Sequence, residues 1–215
     1  MLLIFDWDGT LSDSTSKIVT CLQKAAASAG FPVLEDAVIC NIIGLGLPEA
    51  MARLYPELGD DQKESIRSHY VEHFLAADQI PSPFFEGVEE GLATLRCAGF
   101  AMAVATGKSR RGLDRVLERL SMQAYFDASR CADETKSKPD PLMLQELLKQ
   151  MKVSCDRALM VGDTEYDMEM ARNANVHRVA VSYGAHHIDR LQPYQPIKSV
   201  DHFSDFVDWV MSTYR

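Results

Sequence analysis

Apolar positions along the chain follow two rhythms. Leu2–Phe5 is a short unbroken apolar run that stops at Asp6, the mark of a buried, parallel strand. Ile18, Cys21, Leu22, Ala25 and Ala29 then recur at helical spacing, with Asp13 and Ser14 as N-caps and Gly30 at the C′ position. From about residue 31 to 80 every pattern is helical. Pro48 suits the first turn of a helix carrying Met51 and Leu54, and Asp60 is placed to cap a longer one carrying Ile66, Tyr70 and Phe74. Pro81-Ser82-Pro83 ends this stretch, so residues 14–83 are predicted to form a helical insertion.

Beyond it, strands and helices alternate. A helix over 87–98 ends at Gly99, and Phe100–Ala105 reads as a strand ending at Thr106-Gly107. Ser109 caps a helix through Leu113, Val116, Leu117 and Leu120, and a weak strand lies near 127–131. Pro141 opens a helix, Ala158–Val161 is a strand closed by Gly162-Asp163, and a helix through Met168 and Ala171 leads to a strand at Val176–Val181. An amphipathic helix over 203–213 turns Phe206, Trp209 and Val210 inward. Such alternation predicts an α/β fold, a Rossmann-like parallel sheet with helices on both faces, built from residues 1–13 and 84–215.

Composition narrows the function. The 215 residues carry 22 Lys and Arg against 31 Asp and Glu, a net charge of −9. That field repels nucleic acid and anionic membranes, and it also repels a phosphate unless a local cation intervenes. The five cysteines form no CxxC pair, which argues against both a zinc site and a disulfide framework. With no basic leader and no apolar stretch of spanning length, a cytoplasmic protein is the expectation.

Four polar clusters stand where strands end or helices begin, which in an open parallel sheet is one crevice. The first is Asp6-Trp7-Asp8-Gly9-Thr10-Leu11, with two acids on alternate residues and a glycine for the turn. Alone it reads equally well as a capped turn. The second, Thr106-Gly107-Lys108-Ser109, offers a hydroxyl and amides to an anion at a strand-to-helix junction. Lys108, Arg110 and Arg111 could add positive charge there, although a solvated helix face is the plainer role for most of them. The third, Lys136-Ser137-Lys138-Pro139-Asp140-Pro141, stiffens the backbone just after Lys138 and aims its ammonium. The fourth, Gly162-Asp163-Thr164-Glu165-Tyr166-Asp167, puts two acids four residues apart at a helix start, one more than capping needs.

Together the clusters bring Asp6, Asp8, Asp163 and Asp167 to one sheet edge. Two like charges ~4 Å apart repel by about 4 kcal/mol at an effective dielectric near 20. Four such acids require cations: Lys138 is one, and a hard divalent ion with oxygen ligands, Mg2+ by default in phosphate chemistry, is the other.

In order and spacing, DWDGTL, TGK, KPDP and GDTEYD resemble the haloacid dehalogenase (HAD) superfamily, in its phosphoglycolate-phosphatase-like branch with an inserted helical cap. The resemblance implies that Asp6 is a covalent nucleophile and Asp8 the acid and base. It implies that Thr106 and the Gly107 amide hold phosphoryl oxygens and that Lys138 neutralises charge. Mg2+ would be bound by Asp6, the Asp8 backbone carbonyl and Asp163, with Asp167 assisting. Residues 14–83 become the cap, hinged near Ser12–Ser14 and Pro81–Glu86. Many relatives carry Asn where Gly107 stands, and Lys136 rivals Lys138 but does not directly precede the proline. Ile43-Gly44-Leu45-Gly46-Leu47 is either a substrate-facing loop or a plain helix–helix turn, and His186 and His187 are expected in a surface loop.

The implied activity is hydrolysis of a small phosphorylated metabolite, phosphoglycolate being the first guess, by a monomer or homodimer. The alternatives are a phosphomutase of the beta-phosphoglucomutase type and, from another class, a non-catalytic phosphate-binding or phospho-receiver-like protein. Asp8 argues against a dehalogenase proper, which lacks that acid.

Overall fold

The computed structural model describes residues 1–214. Six parallel strands form one sheet in the order β3-β2-β1-β4-β5-β6. They are β1 (Leu2–Phe5), β2 (Ala101–Thr106), β3 (Ala128–Cys131), β4 (Ala158–Gly162), β5 (His177–Val181) and β6 (Lys198–Val200). From the central β1 the chain builds outward to β2 and β3, then returns to β4 on the other side. That reversal opens a crevice at the strand ends beside β1.

Period-two alternation in β1 sends its side chains to two separate cores. Leu3 and Phe5 pack with Met102, Val104 and Val161 beneath α5 (Val88–Cys97), α6 (Arg110–Arg119) and α10 (Phe203–Tyr214). Leu2 and Ile4 pack with Ala103 and Met160 beneath α7 (Leu142–Met151) and α8 (Glu165–Asn173). All four β1 side chains are fully buried, as an unbroken apolar run in a doubly covered parallel sheet requires.

The helices between β1 and β2 are α1 (Thr15–Ser28), α2 (Asp36–Cys40), α3 (Leu47–Leu54) and α4 (Asp60–Ala77). They enclose an apolar cluster of their own, with Leu22, Ile43, Met51 and Ile66 among its buried members. Tyr166 and Ala185, which belong to the sheet-bearing part, also pack into that cluster. Asp60 does not cap α4. Gly59 precedes the helix with its N–H donated to Gln62 Oε1 at 2.9 Å, and Asp60 and Asp61 fill the first turn, where acids suit the helix dipole. The two strands of chain joining insertion to sheet run side by side: Asp13 N donates to Pro83 O at 2.9 Å and Phe85 N to Leu11 O at 3.0 Å.

Two elements carried no readable signal in the sequence. β6 is three residues long with one buried side chain, too short for a period, and α9 (Ile188–Leu191) is a single turn. Gly30 and Asn175 end α1 and α8 in left-handed conformations, φ +76° and +55°.

Candidate active site

Residues 6, 106, 138, 163 and 185 each leave the end of a parallel strand or the loop after it, so the topology alone gathers them. Asp6, Asp163 and Asp167 present oxygens that all lie within 4.8 Å of one another. Their side chains and that of Lys138 are essentially sealed from solvent. Lys138 Nζ stands 2.7 Å from Asp6 Oδ1 and 2.6 Å from Asp167 Oδ1. Lys136, by contrast, is exposed and pairs with Asp140 at 3.4 Å.

Each acid is held differently. Asp167 Oδ2 accepts from Thr164 Oγ1 at 2.7 Å and from Thr164 N at 3.1 Å, so both its oxygens are engaged and it closes a capping box on α8. Asp163 accepts from Thr10 Oγ1 at 2.7 Å and from Ala185 N at 2.7 Å. It fits because Gly9, at φ +88°, has no Cβ; one placed there would lie 2.2 Å from Asp163 Oδ2. Asp6 is the exception. Lys138 is close, yet neither Asp6 oxygen has a hydrogen-bond partner of good geometry, although both are buried.

Burial pushes the Asp6 carboxyl well above the ordinary carboxylate range; Asp167 and Asp163 add to the rise against the pull of Lys138. Burial likewise pushes Asp163 up to about 7, with Asp167 adding to it. Burial disfavours the Lys138 ammonium, but Asp167 and then Asp6 outweigh it and hold the proton above the usual lysine value. Three carboxylates facing one ammonium leave an excess of negative charge. The donor set is all oxygen, and the unsatisfied Asp6 oxygens point to a missing positive partner. These residues fit a hard divalent cation.

The Asp8 carboxylate is not among the three that cluster. It accepts from Ser14 Oγ at 2.6 Å, and both its oxygens lie 2.9 Å from Lys108 Nζ. Ser14 therefore stands at the N-cap position of α1 but spends its hydroxyl on Asp8 instead of the helix. Lys108, for which the sequence left open added positive charge or a solvated face, is turned inward with its side chain 13% exposed and 5.0 Å from the centre of the Phe74 ring. Arg110 keeps the surface role, paired with Asp114 and Glu134.

Thr106 is fully buried at the end of β2, its Oγ1 accepting from Lys108 N at 3.2 Å. Gly107 explains the insertion's glycine-rich loop. A Cβ at 107 would stand 2.5 Å from Leu45 O and 2.6 Å from Gly44 O. The loop thus rests directly on the β2 exit, with Gly46 N donating to Ser137 Oγ at 2.7 Å. Farther along the same seam, Arg53 Nη1 donates to Tyr166 Oη at 2.9 Å and Tyr166 Oη to Asn41 O at 2.6 Å. A cleft of about 610 Å3 lies between Leu45, Glu49 and Arg53 of the insertion and Lys136, Lys138 and Asp140 below; the acid cluster itself is not in its lining.

Sequence reasoning misplaced His186. It is 1% exposed, accepts from Glu165 N at 3.2 Å and meets Tyr166 edge-on, whereas His187 is exposed as expected. Thr10, Ser14, Lys108 and Ala185 were not anticipated as partners of the acids. Only their nearness to motif residues marked them.

The haloacid dehalogenase-like hydrolase family model matches residues 3–181. The chain belongs to the haloacid dehalogenase-like hydrolases. Among curated HAD relatives, the probable phosphatase IndB of Dickeya dadantii is 35% identical, over 96% of this chain and 91% of that protein. A phosphoglycolate phosphatase of Vibrio cholerae is 29% identical, over 91% of this chain and 90% of its own. The crystal structure of a hydrolase from Pseudomonas syringae superposes with a TM-score of 0.90 at 23% identity, covering all of both chains. That last likeness concerns the HAD fold alone.

Proposed function

We propose that this HAD-family chain is a magnesium-dependent phosphatase of small phosphate monoesters that works through a phosphorylated Asp6. The observation carrying this reading is the unsatisfied, buried Asp6 carboxylate beside Lys138, at the focus of two further acids. The names of the curated relatives, a probable phosphatase and a phosphoglycolate phosphatase, favour the same reaction class.

Asp6, the Asp8 backbone carbonyl and Asp163 would hold the ion, with Asp167 directly or through water. When bound it supplies positive charge between nucleophile and phosphate, offsetting their repulsion. The Asp6 oxygen not held by Lys138 attacks phosphorus while the ester P–O bond breaks. Lys138 offsets the charge on Asp6 and the phosphoryl group, and Thr106 Oγ1 with the Gly107 N–H donates to phosphoryl oxygens. Asp8 gives its proton to the departing ester oxygen. Asp8 then takes a proton from water as that water attacks the phosphorus. The acyl–phosphate bond breaks, and Asp6 and inorganic phosphate are released. Residues 14–83 act as a cap that closes over residues 1–13 and 84–215 and excludes bulk water from these steps.

Phosphate release from a panel of small phosphate monoesters tests the reading. Turnover is expected with Mg2+, lost on EDTA and restored by Mg2+. Full activity in EDTA, or in an Asp6→Asn variant, contradicts it.

A further inference from the structure

We propose that Lys108 is a specificity-determining residue, which trades its grip on Asp8 for an anionic group carried by the substrate's leaving group. This rests on the phosphatase reading and adds a substrate class to it.

Asp8 is fully engaged. Ser14 Oγ donates to its Oδ1 at 2.6 Å, and Lys108 Nζ lies 2.9 Å from both oxygens. So held, both Asp8 oxygens are tied to Lys108, and an ester oxygen must compete with that ammonium for either of them. For Asp8 to act Lys108 must loosen, and an ammonium only 13% exposed leaves one anion more readily when another receives it. Among the described residues, Asp8 is the one ion-pair partner of this ammonium, and the Phe74 ring of α4 lies 5.0 Å from it. That aromatic roof favours retention of a cation. Tyr70, 5.6 Å from Phe74 between ring centres, extends the roof.

The position suits a leaving group. Lys108 follows Thr106 and Gly107, to which the phosphatase reading assigns the phosphoryl oxygens, and it touches Asp8, to which that reading assigns the ester oxygen. A carboxylate or second phosphate one or two carbons from that oxygen would fall to Lys108. The two-point hold on Asp8 shows the geometry in which this ammonium accepts an anion. A substrate with such a group would both bind more tightly and free Asp8. A neutral ester would leave the clamp in place.

Three esters of equal reach separate these roles: ethyl phosphate, phosphoglycolate and ethylene glycol bisphosphate. The wild type is expected to favour at least one charged ester over ethyl phosphate by roughly 10- to 100-fold in kcat/KM. The preference should show in both a lower KM and a higher kcat, and which charged ester leads identifies the anion. In Lys108→Met the ratio should collapse toward one, and Lys108→Arg should keep part of it. A ratio unchanged in Lys108→Met, with all esters slowed alike, overturns the proposal and leaves Lys108 as a support for Asp8. Wild-type turnover without preference overturns it as well, with the phosphatase reading intact. Turnover of none of the three overturns the proposal, and the phosphatase reading falls with it only if the wider panel of monoesters is left intact as well.

Discussion

The sheet end and the helical insertion solve opposite problems with the same kinds of residue. At the sheet end, four charged side chains are buried almost completely; Lys138, Asp163 and Asp167 are held by partners at 2.6–2.7 Å, and Asp6 faces Lys138 at 2.7 Å with neither oxygen hydrogen-bonded in good geometry. In the insertion, the 18-residue α4 buries one side chain fully, Ile66, and its charges face outward. The seam between them joins polar contacts such as Arg53–Tyr166, Gly46–Ser137 and Lys108–Asp8 to one apolar contact, where Tyr166 and Ala185 pack into the insertion's cluster. Dense burial makes a centre that cannot rearrange. Under the proposed function, the less densely packed seam is where the insertion parts from the sheet end and closes again. Chemistry is therefore assigned to the first region and access to the second.

Breaking the centre should have the largest effect. Lys138→Met leaves Asp6 and Asp167 buried without their cation, a change on the scale of about 3–5 kcal/mol. It also removes charge stabilisation at the reacting group, with kcat expected to fall by roughly 10^2- to 10^3-fold. Urea unfolding and steady-state rates check both. A stable, active variant would mean that the ion pair only decorates the site.

Breaking the seam should cost activity more than stability. Gly107→Asn drives a side chain into Leu45 O and Gly44 O. The insertion can relieve that clash by lifting as a body. The expectation is a loss of roughly 10^2-fold in kcat/KM, the scale of about 1 Å of misplacement, with the urea midpoint near the wild-type value. A large drop in midpoint would instead show that the two regions fold as one packed unit.

The smallest effect sharpens the comparison through pH. Burial holds His186 below the usual histidine pKa, so the folded chain resists a proton that the unfolded chain takes up below about pH 6.5. This contribution to stability is complete above that pH and is lost as pH falls below it. His186→Gln should flatten the acid side of the wild-type melting profile and leave the neutral side alone. Identical slopes for the two proteins would remove His186 from the account.

These regions were not equally legible in the sequence. β1, the alternation after residue 84 and the order of the four polar clusters follow from local spacing, and the sheet then gathers Asp6, Lys138, Asp163 and Asp167 without further information. The seam depends on contacts between residues far apart. Lys108 reads as a surface lysine because nothing near it in sequence reveals Asp8, one hundred positions away. His186 reads as a loop histidine because Tyr166, which covers it, belongs to another element. Gly107 was visible as a departure from its relatives, but its reason, the carbonyls of Gly44 and Leu45, lies in the insertion.

The central claim is that Asp6 itself takes the phosphoryl group. A single-turnover reaction with Mg2+ and a good phosphate ester, quenched in acid within the first turnover and digested, measures this by peptide mass. The account requires one added phosphoryl group on the peptide containing Asp6, absent from Asp6→Asn and decaying as phosphate appears. Turnover at the same rate with that peptide unmodified at every time point, or with the phosphoryl group on another residue, would contradict it.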